Sequence, residues 1–312
     1  MHVFVTGASG HLGSAVVPEL LAAGHQVVGL ARSDSSAAAV AALGAGVRRG
    51  DLDDLDGLRE AAAAADGVIH LAFKHEAMLT GAFAEAVEAD RLAVEAMSDA
   101  LAGSGTGTGK PLVIASGTLM LALGGISGRP GTEADVLPAG PRIDTENAVI
   151  ATAGRGVRSS AVRLPPLVHS DLDHHGFTSA LIGFARANGY SGYPGEGENR
   201  WPAAHTLDVA RLFRLALEQA PAGTRLHAVG DEGVPMRQIA EAIARNLDVP
   251  AKAVPAEEVP AYFQFLAGFI GLDNLTSGAR TRELLGWEPT HPGLIADIDA
   301  GHYFTREDGR QA

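Results

Sequence analysis

The decisive stretch is Thr6-Gly7-Ala8-Ser9-Gly10-His11-Leu12-Gly13, which follows a short apolar run (His2 to Val5) and opens a helical one (about His11 to Ala23). Glycines spaced Gly-x-x-Gly-x-x-Gly between a strand and a helix have separate physical jobs. Gly7 permits a tight turn, Gly10 lets the backbone approach a pyrophosphate, and Gly13 lets helix and sheet pack closely. The first N–H groups of the helix have no intrahelical partner and carry partial positive charge. Thr6, Ser9, His11 and Leu12 are therefore expected to surround phosphate with the three glycines. A glycine-rich turn without a ligand is the bland alternative, because this spacing differs from the commoner Gly-x-Gly-x-x-Gly.

Outward from that turn, apolar runs at Gln26–Leu30, Val47, Val68–Leu71, Leu112–Ala115 and Val157–Leu164 alternate with alanine-rich helical segments, including about Leu79–Ala102. The alternation predicts an α/β fold, a Rossmann-type doubly wound parallel sheet with helices on both faces. Gly103–Gly109 reads as a flexible loop without chemistry. After Pro165-Pro166 the pattern breaks up. Leu207–Glu218 returns as an amphipathic helix, Arg225–Val229 offers one more strand, and Pro235–Tyr303 reads as mostly helical. The expected units are a dinucleotide-binding domain over 1–165 plus about 206–230, and a smaller, mostly helical C-terminal substrate lid over about 166–205 and 231–312.

The chain has 312 residues, 46% of them hydrophobic and 20% charged, which is enough to bury a large core. A net charge of −13 repels phosphate backbones and anionic lipid, so neither nucleic acid nor a membrane is expected as a partner. The absence of cysteine excludes disulfides, thiolate catalysis and cysteine-bound metal. With no 18-residue apolar stretch and no basic leader, a protein of a reducing cytoplasm is expected.

The end of the second strand selects the dinucleotide. An NAD site normally carries a carboxylate there for the ribose 2′-hydroxyl; here Ala31 is followed by Arg32 and Ser33. An arginine beside a hydroxyl suits a 2′-phosphate, so NADP(H) is expected over NAD(H). The opposing reading makes Arg32 a solvated loop charge, with Asp34 nearby. Asp51 and Leu52 are placed at the adenine edge, and Leu71, Ala72 and Phe73 along the nicotinamide ribose.

These motifs together resemble the extended short-chain dehydrogenase/reductases of the NAD-dependent epimerase/dehydratase group. The resemblance rests on Thr6–Gly13, Gly50-Asp51-Leu52, His70-Leu71-Ala72, Ala115-Ser116-Gly117-Thr118, Arg163-Leu164-Pro165-Pro166, His205-x-x-Asp208 and Leu284-Leu285-Gly286-Trp287-Glu288-Pro289. It adds Ser116 and Pro165 to the expected cofactor contacts. It also implies a Ser/Thr and a Tyr-x-x-x-Lys as catalytic groups, a helix asparagine behind the lysine, and pairing of two long helices in a homodimer. Thr118 matches the hydroxyl position. Anchored on Glu146 and Gly156, the lysine position falls on Arg142, the tyrosine position on Pro138, and the asparagine position on Asp90. No tyrosine lies between Met1 and Gly189.

Hydride transfer to a carbonyl builds charge on oxygen that must be stabilised and protonated. Arg142 supplies fixed charge but no proton; its alternative is a surface pair with Glu146 four residues on. Thr118 offers a hydroxyl, or merely caps a turn. His175, in the loop Val168–Phe177, is the expected acid. Two Asp and three His crowd that loop without clear ligand geometry, so no metal is expected. An arginine at about Arg200 can grip an anionic group in such proteins, yet further basic residues are scarce. Phe177, Tyr190, Tyr193, Trp201, Tyr262 and Phe265 form either an apolar substrate wall or ordinary lid core. The reading is an NADP(H)-dependent oxidoreductase acting on a small, fairly apolar carbonyl, imine or activated alkene. A non-catalytic dinucleotide-binding sensor or scaffold, and an epimerase or dehydratase, are the alternatives.

Overall fold

The computed structural model describes residues 1–75, 82–102 and 109–305. Leu79 to Gly81 of the expected long helix, and 103–108 of the glycine loop, lie outside them.

Seven strands make one parallel sheet: β1 (His2–Thr6), β2 (Gln26–Ala31), β3 (Gly46–Arg49), β4 (Gly67–His70), β5 (Pro111–Gly117), β6 (Arg158–Leu164) and, much later in the chain, β10 (Thr224–His227). Their order is β3-β2-β1-β4-β5-β6-β10. Val3 to Val5, the whole of β4 and Leu112 to Ile114 are buried, because helices cover both faces. On one face lie α1 (Gly13–Ala22), α2 (Asp34–Ala42) and α8 (Thr206–Gln219), with Val16, Leu20 and Phe213 fully buried. On the other lie α3 (Leu55–Ala64), α4 (Phe83–Ala102) and α6 (Ile143–Ala151), around Leu58, Met97 and Leu101, and the short α5 (Leu119–Leu123) follows β5. The strand order reverses direction between β1 and β4, and the crevice at that switch point is where open α/β sheets take ligands.

The outward face of α4 is charged. Arg91 bridges Glu88 and Glu95 at 2.7 and 3.0 Å, and Asp99 pairs with Arg155 at 2.8 Å.

Besides its helices, the lid carries short strands that the sequence pattern does not single out. A three-stranded sheet joins β7 (Leu167–His169), β9 (Arg200–His205) and β11 (Asp231–Pro235), and β8 (Ser191–Pro194) pairs with β12 (Ala251–Val254). Strands such as Ser191-Gly192-Tyr193-Pro194 are too short, and too rich in Gly and Pro, to show a period of two. Around them pack α7 (Phe177–Asn188), α9 (Met236–Leu247), α10 (Val259–Phe263), α11 (Ala279–Leu285) and α12 (Leu294–Asp299). Between α11 and α12 the chain returns to the first unit. Trp287 Nε1 donates to the Asp208 carbonyl at 2.8 Å, and the Asp208 carboxylate accepts from the N–H groups of Thr290 and His291, both at 3.0 Å. This clamp gives His205-x-x-Asp208 and Trp287-Glu288-Pro289 a structural role. Among the described residues no helix is long and apolar enough to cross a membrane.

Candidate active site

The glycine turn divides its labour as steric arithmetic requires. Gly7 has φ +69°, and a Cβ there would stand 2.7 Å from the Ala72 nitrogen, so the turn lies directly against the end of β4. A Cβ on Gly13 would meet the Gly7 oxygen at 2.2 Å, which locks α1 onto the turn. Gly10 and Ser9 are exposed, and a Cβ on Gly10 would meet only the Gly7 oxygen, at 3.3 Å. The backbone N–H groups of His11 and Leu12 donate to no partner among the described residues. The turn therefore has the open face and spare donors that a pyrophosphate needs.

At the end of β2, Ser33 caps α2 in a reciprocal bond with Ser36. Arg49, from the end of β3, reaches across to the Ser33 carbonyl and to Asp34 Oδ1 at 3.0 Å. Asp34 is thereby paired with Arg49, and a second guanidinium stands beside the Arg32-Ser33 step. Asp51 uses Oδ1 to accept from the N–H groups of Asp53 and Asp54 at 2.8 and 3.2 Å, folding its own turn, and Leu52 is buried.

Beyond the turn, Thr6 Oγ1 accepts from the N–H groups of Leu71 and Ala72, both at 3.2 Å. Its own proton then points to His70 Nδ1 at 2.7 Å, so the imidazole proton sits on Nε2 and is donated to Asp90 at 3.0 Å. Burial alone would raise the Asp90 pKa, but His70, Arg142 and His75 outweigh it and hold the carboxyl below its usual range. Arg142 is half-buried. Its guanidinium donates to the Ala115 carbonyl at 2.8 Å and lies 4.3 Å over the Phe73 ring. Its backbone, at φ +63°, is left-handed, a conformation that costs a non-glycine residue about 1–3 kcal/mol and is held by such contacts.

The surface pair imagined for Arg142 and Glu146 does not form. Glu146 is buried with Arg163 at 2.7 Å, Arg225 at 2.7 Å and the Ser116 hydroxyl at 2.6 Å. These partners overcome burial and keep its pKa low. The Ser116 hydroxyl is therefore committed below the crevice. Thr118 stands at the end of β5 but is fully buried, its hydroxyl accepting from Asn274 at 3.2 Å. Pro165 is buried where β6 passes to β7.

The loop after β7 leans on the glycine turn. His11 Nε2 bonds the Thr206 hydroxyl at 2.8 Å, and its pKa is lowered first by burial, with Asp173 and His174 of the loop acting in opposite senses. His175 is exposed, with its ring 6.4 Å from His174. The structure does not bring His175 to Thr118 or Arg142. Next along the chain, Phe177 packs 6.0 Å from Phe265 and 5.8 Å from Phe269, and Phe265 remains 39% exposed. Trp201, Tyr262 and Phe263 are buried lid core. Arg200 is closed on Asp273 by bonds of 2.7 and 3.0 Å. Among the described residues no group of three or more His, Asp or Glu is placed to hold a metal ion.

Residues 3–108 match the model of the NAD dependent epimerase/dehydratase family. An uncharacterized protein of Schizosaccharomyces pombe is 43% identical over 306 residues, 97% of this chain and 100% of the relative. The chain belongs to the NAD-dependent epimerase/dehydratase family. This family member is also 30% identical, over 72% of its own length and 66% of the relative's, to a 4-hydroxy-2-methyl-3-oxo-4-farnesyl-3,4-dihydroquinoline-1-oxide ketoreductase of Stigmatella aurantiaca. Its fold matches that of the dTDP-glucose 4,6-dehydratase DesIV of Streptomyces venezuelae with NAD bound, at TM-score 0.75 and 18% identity, covering 99% and 98% of the two chains.

For this epimerase/dehydratase-family chain, sequence reading missed Arg49, the His70–Asp90 pair and His75. The Arg48-Arg49 doublet ends a strand candidate and was legible as charge beside Gly50. Nothing in linear order ties His75 to Arg142; the fold does.

Proposed function

We propose that this protein is an NADP(H)-dependent oxidoreductase that reduces a small, fairly apolar carbonyl, imine or activated alkene. The observation that carries the cofactor choice is the end of β2, where Ala31 replaces a carboxylate and Arg32 and Arg49 border Ser33. Two guanidinium groups favour a 2′-phosphate and give a bare hydroxyl nothing comparable. The dinucleotide, when bound, supplies the hydride. Ser9, Gly10, His11 and Leu12 hold its phosphates, Phe73 borders its nicotinamide ribose, and Arg142 offers fixed positive charge where oxygen becomes negative.

The substrate class follows from what the lid withholds. Arg200, the group that would grip a sugar-nucleotide diphosphate, is already satisfied by Asp273. The Phe177, Phe265 and Phe269 cluster leaves apolar surface at the start of α7. The ketoreductase named among the relatives is in keeping with carbonyl reduction. The test is a side-by-side titration with NADPH and NADH, read by Trp fluorescence and melting temperature, followed by a panel of ketones, enones and quinones. Tighter NADH binding, or no turnover of bound NADPH by any acceptor, ends this reading; the second result favours a sensor that binds without reacting.

A further inference from the structure

The reaction needs a proton, and Arg142, standing where the family's lysine is expected, keeps its own. We infer that His75 is the proton donor, placed with Arg142 around Phe73 at the nicotinamide end of the crevice. The inference rests on the proposed reductase activity and assigns a residue within it.

Geometry carries it. His75 follows β4 by five residues, its N–H donates to the Phe73 carbonyl at 2.9 Å, and its ring meets the Phe73 ring edge-on at 5.2 Å. The Arg142 guanidinium lies 4.3 Å from the same Phe73 ring and is tied to the end of β5. One aromatic residue thus carries a fixed cation and a titratable imidazole, beside the strand ends on which open sheets place ligands. His75 is exposed, so water can return the proton it gives. Its charged neighbours are Arg142 and Asp90. Burial of part of the ring, then Arg142, lower its pKa, while the Phe73 carbonyl and Asp90 pull the other way. In the lid loop Ser170 and Asp173 are buried and Asp171 is exposed, and Thr118 is sealed.

The step balances simply. As the substrate carbon accepts hydride, the C=O π pair moves onto oxygen beside Arg142, and that oxygen takes the proton of the His75 imidazolium. His75 is left neutral and is reprotonated from solvent. With a ring of lowered pKa, reduction speeds up as pH falls toward the histidine pKa and oxidation speeds up as pH rises through it.

The first test needs no substrate. Histidine ring signals of the full-length protein are followed by NMR, with His75 assigned by its loss in His75→Gln, during titration with 2′,5′-ADP, NADP⁺ and NADPH. The nicotinamide-free 2′,5′-ADP should leave His75 in place, and both dinucleotides should move it. His75 should also titrate lower with NADP⁺ than with NADPH, because the cationic ring opposes its proton. Identical His75 titrations in the free and both dinucleotide-bound forms overturn the inference while dinucleotide binding stands. In the acceptor panel, His75→Gln should lower kcat about 100-fold or more with KM retained and the low-pH limb of the profile lost. A variant with wild-type kcat overturns the acid role, and a panel without any substrate removes the reductase reading beneath it.

Discussion

Ser116 donates its hydroxyl to Glu146 at 2.6 Å, and both residues are buried under the crevice. Glu146 faces two guanidinium groups there, Arg163 and Arg225. Glu146→Gln strands two positive charges in a poorly solvated place and is expected to cost about 3 kcal/mol or more, measured by urea unfolding. The loss should be specific to stability at neutral pH. Because its folded pKa is depressed, the carboxylate contributes above its unfolded value, and that contribution fades as pH drops through the folded one.

A second acid-sensitive group is His227. Its Nδ1 faces the Ser277 carbonyl at 2.8 Å and its Nε2 receives Arg163 at 3.3 Å, an arrangement that suits only the neutral ring. Burial pushes its pKa down to about 4. The unfolded chain takes up that proton near the ordinary histidine value, so stability should fall between about pH 6.5 and pH 4, by up to about 3 kcal/mol. His227→Gln should flatten this part of the unfolding profile; an unchanged slope refutes the assignment.

The glycine turn separates folding from binding. Gly13→Ala places a methyl 2.2 Å from the Gly7 oxygen and should destabilise the protein by at least about 2 kcal/mol. Gly10→Ala meets the same oxygen at 3.3 Å and should change stability by less than about 1 kcal/mol while weakening dinucleotide binding. Calorimetric titration beside thermal melts distinguishes the two. Equal losses of stability would contradict the geometry.

Cofactor choice should respond to either arginine at the end of the second strand. Arg32→Ala and Arg49→Ala are each expected to narrow the preference for NADPH over NADH about tenfold, near 1.4 kcal/mol, with NADH affinity kept. A ratio unmoved by both variants would remove the 2′-phosphate from this corner.

The large sheet was readable because its central strands β1, β4 and β5 are buried on both faces and alternate with alanine-rich helices; those signals are local. Gly7 and Gly13 were legible for the same reason, since a turn this tight tolerates little else at those two positions. The lid strands were not, being three to six residues long and interrupted by Gly and Pro. Side-chain commitments were harder still. Ser116 and Thr118 sit at the strand end where sequence places them, yet Glu146 claims one hydroxyl and Asn274 contacts the other. His175 lies in the loop where sequence places it, and no pattern in the chain reveals that His75 and Arg142 meet the same Phe73 ring. Such pairings depend on residues 67 positions apart meeting in space.

The clasp of Asp208 on Trp287, Thr290 and His291, with Asn274 against Thr118, has a consequence for biosynthesis. The ribosome releases all seven strands of the large sheet before any of these late partners has been translated. Until the tail arrives, the nascent sheet holds the Thr118 hydroxyl without its amide and Asp208 without its clasp, so this junction is the last part of the large unit to close.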